Sequence, residues 1–242
     1  MSLPSPQALS GMVVAVDGPS GSGKSSVSRG VAARLGLRYL DTGAQYRAMT
    51  YWMLQNKVDV TDAAAVAADA GAPVIVSGTD PAGPAITVDG DDVAVAIREA
   101  DVTGAVSAVA AVPEVRARLI ELQREIIDGG GIVVEGRDIA SVVAPDAAAK
   151  VFLTASEEAR AARRNTENGG GVGTVAATRD ALTRRDSVDS RTNALAAAPG
   201  AVVVDATELT LEQVIEKVAG IVIHAAEAGA PDAASQGVGL TR

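Results

Sequence analysis

The sequence contains no cysteine, a single histidine and very few aromatic residues, and each shortage excludes a class of protein or site. Without cysteine there is no disulfide framework, no thiolate metal site and no thiol nucleophile. One histidine cannot form a histidine-cluster metal centre. One Trp, one Phe and three Tyr in 242 residues leave the core to Ala, Val, Leu and Ile, and 48% of the chain is hydrophobic. This length and composition exclude a disordered polymer.

Charge and apolar run length exclude two classes of partner. The formal net charge is -9, which opposes general binding to nucleic acid or to an anionic membrane, because both require a basic field. No apolar run approaches the roughly 18 residues of a membrane helix, and residues 1–11 lack the pattern of a signal peptide. We therefore expect a cytoplasmic protein with no nucleic-acid partner and no membrane partner. A monomer is a separate expectation, which charge and run length do not decide.

Short apolar runs alternate with segments of helical spacing along most of the chain. The runs are residues 12–16, 38–40, 132–134, 151–153 and 201–204. This alternation predicts an α/β fold, with a five-stranded parallel sheet flanked by helices. Two helix starts are predicted by capping-box spacing, at Thr154 with Glu157 and at Thr210 with Gln213.

Two regions depart from this alternation. Between about residues 72 and 110, extended runs, a Gly- and Pro-rich connection and an Asp89-Gly90 hairpin signal predict a small antiparallel insert. Polar helical segments joined by a glycine run predict a helical lid at about 156–185. We expect a single domain over 11–228. The ends, 1–10 and 229–242, lack periodic apolar residues, which predicts disordered tails.

A glycine-rich motif follows the first predicted strand. Residues 18–25 are GPSGSGKS, and a helical segment comes next. Curled main-chain N–H groups and a helix N-terminus hold phosphate oxygens in such loops, while Lys24 would reach the β- and γ-phosphates and the Ser25 hydroxyl would bind Mg²⁺. The motif predicts a P-loop for a nucleoside triphosphate. Its predicted contacts are Gly18, Pro19, Ser20, Gly21, Ser22, Gly23, Lys24, Ser25 and Ser26.

A P-loop alone does not distinguish a kinase from a GTPase or ATPase switch. Residues 56–59, NKVD, match a guanine-recognition motif, and residues 80–83, DPAG, match a switch motif. The first match follows a helical segment rather than a late strand, and the second lies in the predicted insert. Both placements indicate that the matches to GTPase motifs are coincidental. A GTPase or ATPase switch nevertheless stays open as the alternative from a different class.

Arginine placement favours phosphoryl transfer to a second phosphate. Residues 160–191 hold seven Arg and four acidic residues within an acidic chain. Guanidinium groups on a closing lid would neutralise a transferring γ-phosphoryl group and exclude water. Thr42 and Arg47 follow the second predicted strand and Arg137 follows the third, where parallel strands form a ligand crevice. Each of these residues, taken singly, also fits an ordinary helix cap or surface ion pair.

Six motifs together resemble the bacterial cytidylate kinase family over residues 12–226. They lie at 17–26, 39–47, 90–98, 112–116, 135–139 and 185–190. The resemblance implies a P-loop kinase fold and a transferase that phosphorylates CMP or dCMP with ATP and Mg²⁺, in pyrimidine nucleotide metabolism. A kinase for another monophosphate such as UMP is the alternative within this class.

The resemblance also implies which residues bind the acceptor nucleotide. Residues matching Thr42, Arg47 and Arg137 hold its phosphate in that family. Residues matching Ser107, Arg116 and Asp138 recognise cytosine. A carboxylate and a hydroxyl can accept hydrogen bonds from the exocyclic amine, which uracil lacks.

The predicted lid supplies the remaining site residues. Arg163 resembles a lid arginine of the family, and residues matching Arg185 and Asp189 contact the sugar and phosphates. We expect Lys24, Arg163 and Arg185 to act on the transferring phosphoryl group. The role of Arg191 stays open, because the family's further arginine falls at a different spacing.

Overall fold

The computed structural model describes residues 6–167, 178–180, 182–183, 186–187 and 196–229. Their central sheet has five parallel strands in the order β2-β6-β1-β7-β8. These strands are β1 (Val13–Asp17), β2 (Arg38–Asp41), β6 (Ile132–Gly136), β7 (Ala149–Thr154) and β8 (Val202–Asp205). Each overlaps one of the five apolar runs, which confirms the α/β class and the parallel sheet.

Helices cover both faces of this sheet because its central strands alternate their side chains between two apolar clusters. Val14 and Val16 of β1 pack in one cluster, and Ala15 packs in another. The helices are α1 (Pro6–Ser10), α2 (Lys24–Leu35), α3 (Thr42–Gln55), α4 (Ala63–Asp69), α5 (Ala100–Ala110), α6 (Pro113–Asp128), α7 (Glu157–Glu167) and α8 (Leu211–Gly229), with a 3-10 turn at Ala96–Arg98 and a π-turn at Ile139–Val143.

The predicted antiparallel insert is a small three-stranded sheet. Its strands are β3 (Ile75–Ser77), β4 (Ile86–Val88) and β5 (Asp91–Asp92), paired in that order. Asp89 and Gly90 between β4 and β5 both have positive φ, which is the backbone of a tight hairpin turn. One face of the insert packs against α3 in a separate apolar cluster. The limits of 72–110 for the insert and 11–228 for the domain stay predictions.

One of the two predicted helix caps is present. Thr210 Oγ1 accepts from the Gln213 N–H at 3.3 Å, and Gln213 Oε1 accepts from the Thr210 N–H at 2.9 Å, as a capping box requires. The box predicted at Thr154 is wrong, because β7 continues through Thr154. Ser156 caps α7 instead, its Oγ accepting from the Ala159 N–H at 3.2 Å.

Parts of both predicted disordered tails are helical where the structure describes them. Residues 6–10 form α1, and Leu9 is buried in the cluster beneath α8, so the tail prediction is wrong for these residues. Residues 1–5 and 230–242 lie outside the described residues, as does most of the predicted lid beyond α7. Among the helices described, none combines the length and apolar character needed to cross a membrane.

We expect Leu119→Ala to lower the free energy of unfolding by about 2–5 kcal/mol. Leu119 of α6 is fully buried in the cluster between α3 and the insert, so truncation leaves a cavity there. Urea unfolding measures the loss. The matched control is Leu211→Ala, because Leu211 is 51% exposed at the start of α8. The control should change stability by about 0.5 kcal/mol or less, and equal losses in the two variants would contradict this packing.

Candidate functional site

Several chain segments meet at the carboxyl-terminal edge of the parallel sheet. β1 pairs with β6 in register, ending with Asp17 opposite Gly136, and β2 pairs with β6, ending with Asp41 opposite Glu135. The three strands therefore end almost level. The P-loop, the start of α3 and the segment after β6 consequently begin side by side, as ligand-binding loops do in open α/β sheets.

The P-loop leaves the sheet through a position that only glycine can occupy. Gly18 has φ of 152°, and a Cβ there would lie 2.0 Å from the carbonyl oxygen of Leu153 on β7. α2 begins at Lys24, so its first N–H groups border the loop. Lys24 is buried, and its Nζ donates to the carbonyl oxygen of Pro19 at 2.8 Å. The loop thus holds a lysine ammonium group within its own curve.

A buried carboxylate, Glu135 at the end of β6, lies next to the P-loop. It accepts from the Tyr39 hydroxyl at 2.5 Å and from the Ser25 side chain. Burial raises the pKa of Glu135, and the Asp41 carboxylate raises it further, whereas the Lys24 ammonium lowers it. Burial also raises the pKa of Tyr39, so its hydroxyl stays protonated and donates. From the sequence, Glu135 received no role. Its position directly after the apolar run 132–134 could have indicated a carboxylate at the edge of the sheet.

Three predicted phosphate-binding residues reach this edge from two elements. Arg47 Nη2 donates to Asp41 Oδ2 at 3.0 Å, and Thr42 Oγ1 donates to the carbonyl oxygen of Glu135 at 2.7 Å. Arg137 Nη1 donates to the carbonyl oxygen of Gly18 at 3.2 Å. The structure therefore brings Thr42, Arg47 and Arg137 to the edge that carries the P-loop.

Two predicted base-recognition residues form an ion pair. Arg116 of α6 donates through Nη2 to Asp138 Oδ2 at 2.5 Å, and both side chains are largely buried. Tyr46 of α3 is a neighbour of this pair, and burial raises its pKa to about 12. A guanidinium beside a carboxylate offers donors and acceptors to the edge of a base. Ser107, the third predicted residue, lies half-buried on α5.

Two arginines of α7 contact the backbone of the P-loop. Arg163 Nη1 donates to the carbonyl oxygen of Ser22 at 3.2 Å, which places this predicted lid arginine at the loop. Arg160 Nη1 donates to the carbonyl oxygen of Ser20 at 2.9 Å and pairs with Asp186 Oδ2 at 2.5 Å. From the sequence, Arg160 was only one of the seven arginines of residues 160–191 and received no individual role. Its spacing of three residues from Arg163 puts both on one helix face, and that was the available signal.

Several predicted features fall elsewhere. Arg185, Asp189 and Arg191 lie outside the described residues. Residues 56–59 follow α3, and residues 80–83 connect β3 to β4. Neither match to a GTPase motif therefore follows a strand of the parallel sheet.

Comparison with known proteins gives one consistent family. Residues 14–224 match the family model described as cytidylate kinase. The chain is 60% identical over 215 residues to a cytidylate kinase of Streptomyces avermitilis, covering 87% of this chain and 92% of that protein. It is 63% identical over 215 residues to one from Streptomyces coelicolor, with the same two coverages. It is 51% identical over 224 residues to one from Nocardia farcinica, covering 90% of this chain and 96% of that protein.

We expect the stability of the wild type relative to Glu135→Gln to fall as pH rises. Burial raises the pKa of Glu135 in the folded state. The wild type therefore has its full relative stability below about pH 4.3, the ordinary glutamate pKa, and loses it as pH rises through the raised pKa. Glutamine does not ionise, so urea unfolding between about pH 4 and pH 8 should show this trend.

The matched control for that series is Glu212→Gln. The Glu212 side chain is 75% exposed in a surface ion pair with Arg34. Its substitution should show no comparable fall, because solvent screens an exposed pair. A Glu135→Gln difference that stays constant, or that changes in the opposite direction, would contradict the burial account.

Proposed function

The chain belongs to the cytidylate kinase family, and from that membership we infer that it transfers a phosphoryl group to CMP or dCMP. The donor is ATP, and the products are ADP with CDP or dCDP. The observation that supports this reaction at the described edge is the position of the P-loop beside Arg47 and Arg137. The family match gives no support to a UMP kinase or to a GTPase or ATPase switch. A monomeric state and a cytoplasmic location stay predictions.

The donor side is the P-loop. Its main-chain N–H groups and the start of α2 bind the ATP phosphates, and Lys24 moves from the Pro19 carbonyl to the β- and γ-phosphates. The donor set fits Mg²⁺, which prefers oxygen ligands, because the Ser25 hydroxyl and the Glu135 carboxylate adjoin each other. Ser25 would hold the ion, which when bound neutralises charge on the β- and γ-phosphates.

The acceptor side holds the phosphate of the monophosphate. The second pKa of the CMP phosphate is near 6, so at pH 7 this phosphate is mostly a dianion. It therefore attacks the γ-phosphoryl group without a general base. Arg47 pairs with Asp41 through one nitrogen, and a guanidinium has five N–H donors, so Arg47 can bind phosphate while that pair persists. Thr42 adds a hydroxyl. Arg137 contacts Gly18, so it lies between the acceptor and the P-loop.

Phosphoryl transfer then requires charge neutralisation and exclusion of water. Arg163 is held at the Ser22 carbonyl, within reach of the phosphates that the P-loop binds. Its guanidinium stabilises negative charge on the transferring group, and we assign Arg185 the same task. Closure of the lid over both nucleotides suppresses ATP hydrolysis.

Base selection rests on the Arg116–Asp138 pair. The Asp138 carboxylate accepts from the exocyclic amine of cytosine, and Arg116 donates to ring acceptors. Uracil has a carbonyl where cytosine has the amine, so it would place an acceptor against Asp138. Ser107 supplies a hydroxyl to the same base, and Asp189 contacts the sugar.

An ADP-release assay with CMP, dCMP, UMP and AMP tests the function. We expect turnover with CMP and dCMP, weak turnover with UMP and none with AMP. Lys24→Ala supplies the background rate, because glycines rather than Lys24 shape the loop and the variant should fold. A strong preference for AMP with no cytidine activity would overturn the assignment, as would ATP binding without any monophosphate-dependent turnover.

We expect Asp138→Ala to reduce the preference for CMP over UMP by about tenfold or more, because the variant loses the acceptor for the amine. The ratio of kcat/KM values for the two substrates measures this preference. Asp146→Ala is the matched control, since Asp146 is an exposed acid further along the same segment. If discrimination against UMP survives in Asp138→Ala, this residue does not recognise the base.

A further inference from the structure

Asp17 is a buried acidic residue to which the proposed reaction assigns no task. It is the last residue of β1 and directly precedes Gly18, where the P-loop begins. Only 5% of the residue is exposed. Its two oxygens accept from the main-chain N–H groups of Ile139 and Ala140, each at 2.8 Å. Asp17 thus joins the base of the P-loop to a segment more than a hundred residues away.

The segment that Asp17 holds carries two residues of the proposed acceptor site. Strand pairing between β1 and β6 stops at Asp17 and Gly136, so Arg137 and Asp138 have no ladder partner on β1. The chain then forms the π-turn at Ile139–Val143, whose first N–H groups have no partner within the turn. Asp17 satisfies two of these groups and fixes the chain directly after Arg137 and Asp138.

The same segment is tied at two other points. The carbonyl oxygen of Asp138 accepts from the Val142 N–H at 2.9 Å, which orients the backbone of the base-recognition residue. Arg137 Nη1 reaches the carbonyl oxygen of Gly18 at 3.2 Å. Contacts at Asp17 and Gly18 therefore fix the position of Arg137 and Asp138 relative to the start of the P-loop.

Burying a carboxylate at this position costs desolvation free energy, which a side chain that only fills space would avoid. Burial raises the pKa of Asp17, and the nearby Asp138 carboxylate adds to the rise, whereas the two main-chain N–H groups and the Lys24 ammonium lower it. A buried apolar side chain would avoid that desolvation cost. An ionised carboxylate, however, can accept from both N–H groups at once. Asparagine has a single oxygen and would turn an N–H group toward one of the donors.

We propose that Asp17 is a positioning residue that fixes Arg137 and Asp138 relative to the P-loop, and so sets acceptor binding and base selection without contacting the acceptor. This inference rests on the proposed function. It assigns Asp17 to the acceptor side of the reaction, although the residue adjoins the donor loop in sequence. Donor binding depends on the loop glycines and Lys24, which Asp17→Asn leaves in place.

Asp17→Asn tests this assignment. We expect the KM for CMP to rise about tenfold or more, because a hydrogen bond to a charged group is lost and a donor faces a donor. The preference for CMP over UMP should narrow in parallel, and the KM for ATP should stay within about twofold of the wild-type value. Substitution of a purely structural residue would lower stability without raising the KM for CMP more than the KM for ATP.

Val204→Ala is the matched control. Val204 is fully buried on β8, two strands from β1, so its truncation weakens the sheet without touching the segment after β6. The control should lower the unfolding temperature and leave both the KM for CMP and the CMP-to-UMP preference unchanged. An Asp17→Asn enzyme that behaves like this control, or that loses ATP and CMP affinity equally, would overturn the inference. A wild type without CMP-dependent turnover would overturn the proposed function as well.

Hydrogen exchange on the wild type gives a second test that does not require the variant to fold. The N–H groups of Ile139 and Ala140 should exchange slowly, and CMP should slow them further while ADP alone does not. Rapid exchange of these two groups in the free enzyme, or equal slowing by ADP alone, would overturn the inference.

Discussion

In-register pairing of β1 with β6 brings the P-loop and the proposed acceptor-binding segment to the same edge of the sheet. The pairing runs from Val13 opposite Ile132 to Asp17 opposite Gly136, so the P-loop and the segment carrying Arg137 start at the same level. A slip of one residue would turn every side chain of β6 to the opposite face of the sheet and move Glu135 away from Tyr39. The strand pairing that builds the core therefore also sets the distance between the P-loop and the segment that we propose binds the acceptor.

Buried carboxylates organise this edge at a cost to folding stability. Asp17 and Asp41 end β1 and β2, and Glu135 is the last residue but one of β6; Asp41 is partly buried, and burial raises the pKa of Asp17 and of Glu135. Each carboxylate accepts hydrogen bonds from main-chain or side-chain donors of a different element, which offsets part of the desolvation cost. These contacts tie the π-turn to β1, α3 to β2 and α2 to β6 at this edge of the sheet. These buried carboxylates therefore lower stability at the edge where we propose that the phosphate groups bind.

Local sequence patterns predicted much of the fold. The features that they missed depend on contacts between segments that are distant in sequence. The five strands and the P-loop follow from short runs and a contiguous motif. Glu135 and Arg160 were not assigned because their partners, Tyr39 and the Ser20 carbonyl, are remote in sequence. The cap at Thr154 was wrong because pairing with β8 extends β7 through that residue. Position at the strand ends predicted Thr42, Arg47 and Arg137 as phosphate-binding residues, whereas the proposed base-recognition residues, Ser107, Arg116 and Asp138, came only from the resemblance to a family.

The proposed reaction requires the ATP phosphates and the CMP phosphate to be bound at once at the same edge of the sheet. Calorimetric titration with a cytidine and an adenosine joined through one phosphate chain tests it most directly. This compound should bind far more tightly than ATP or CMP alone and should displace both of them. Binding no tighter than that of ATP, with CMP still able to bind, would contradict this requirement.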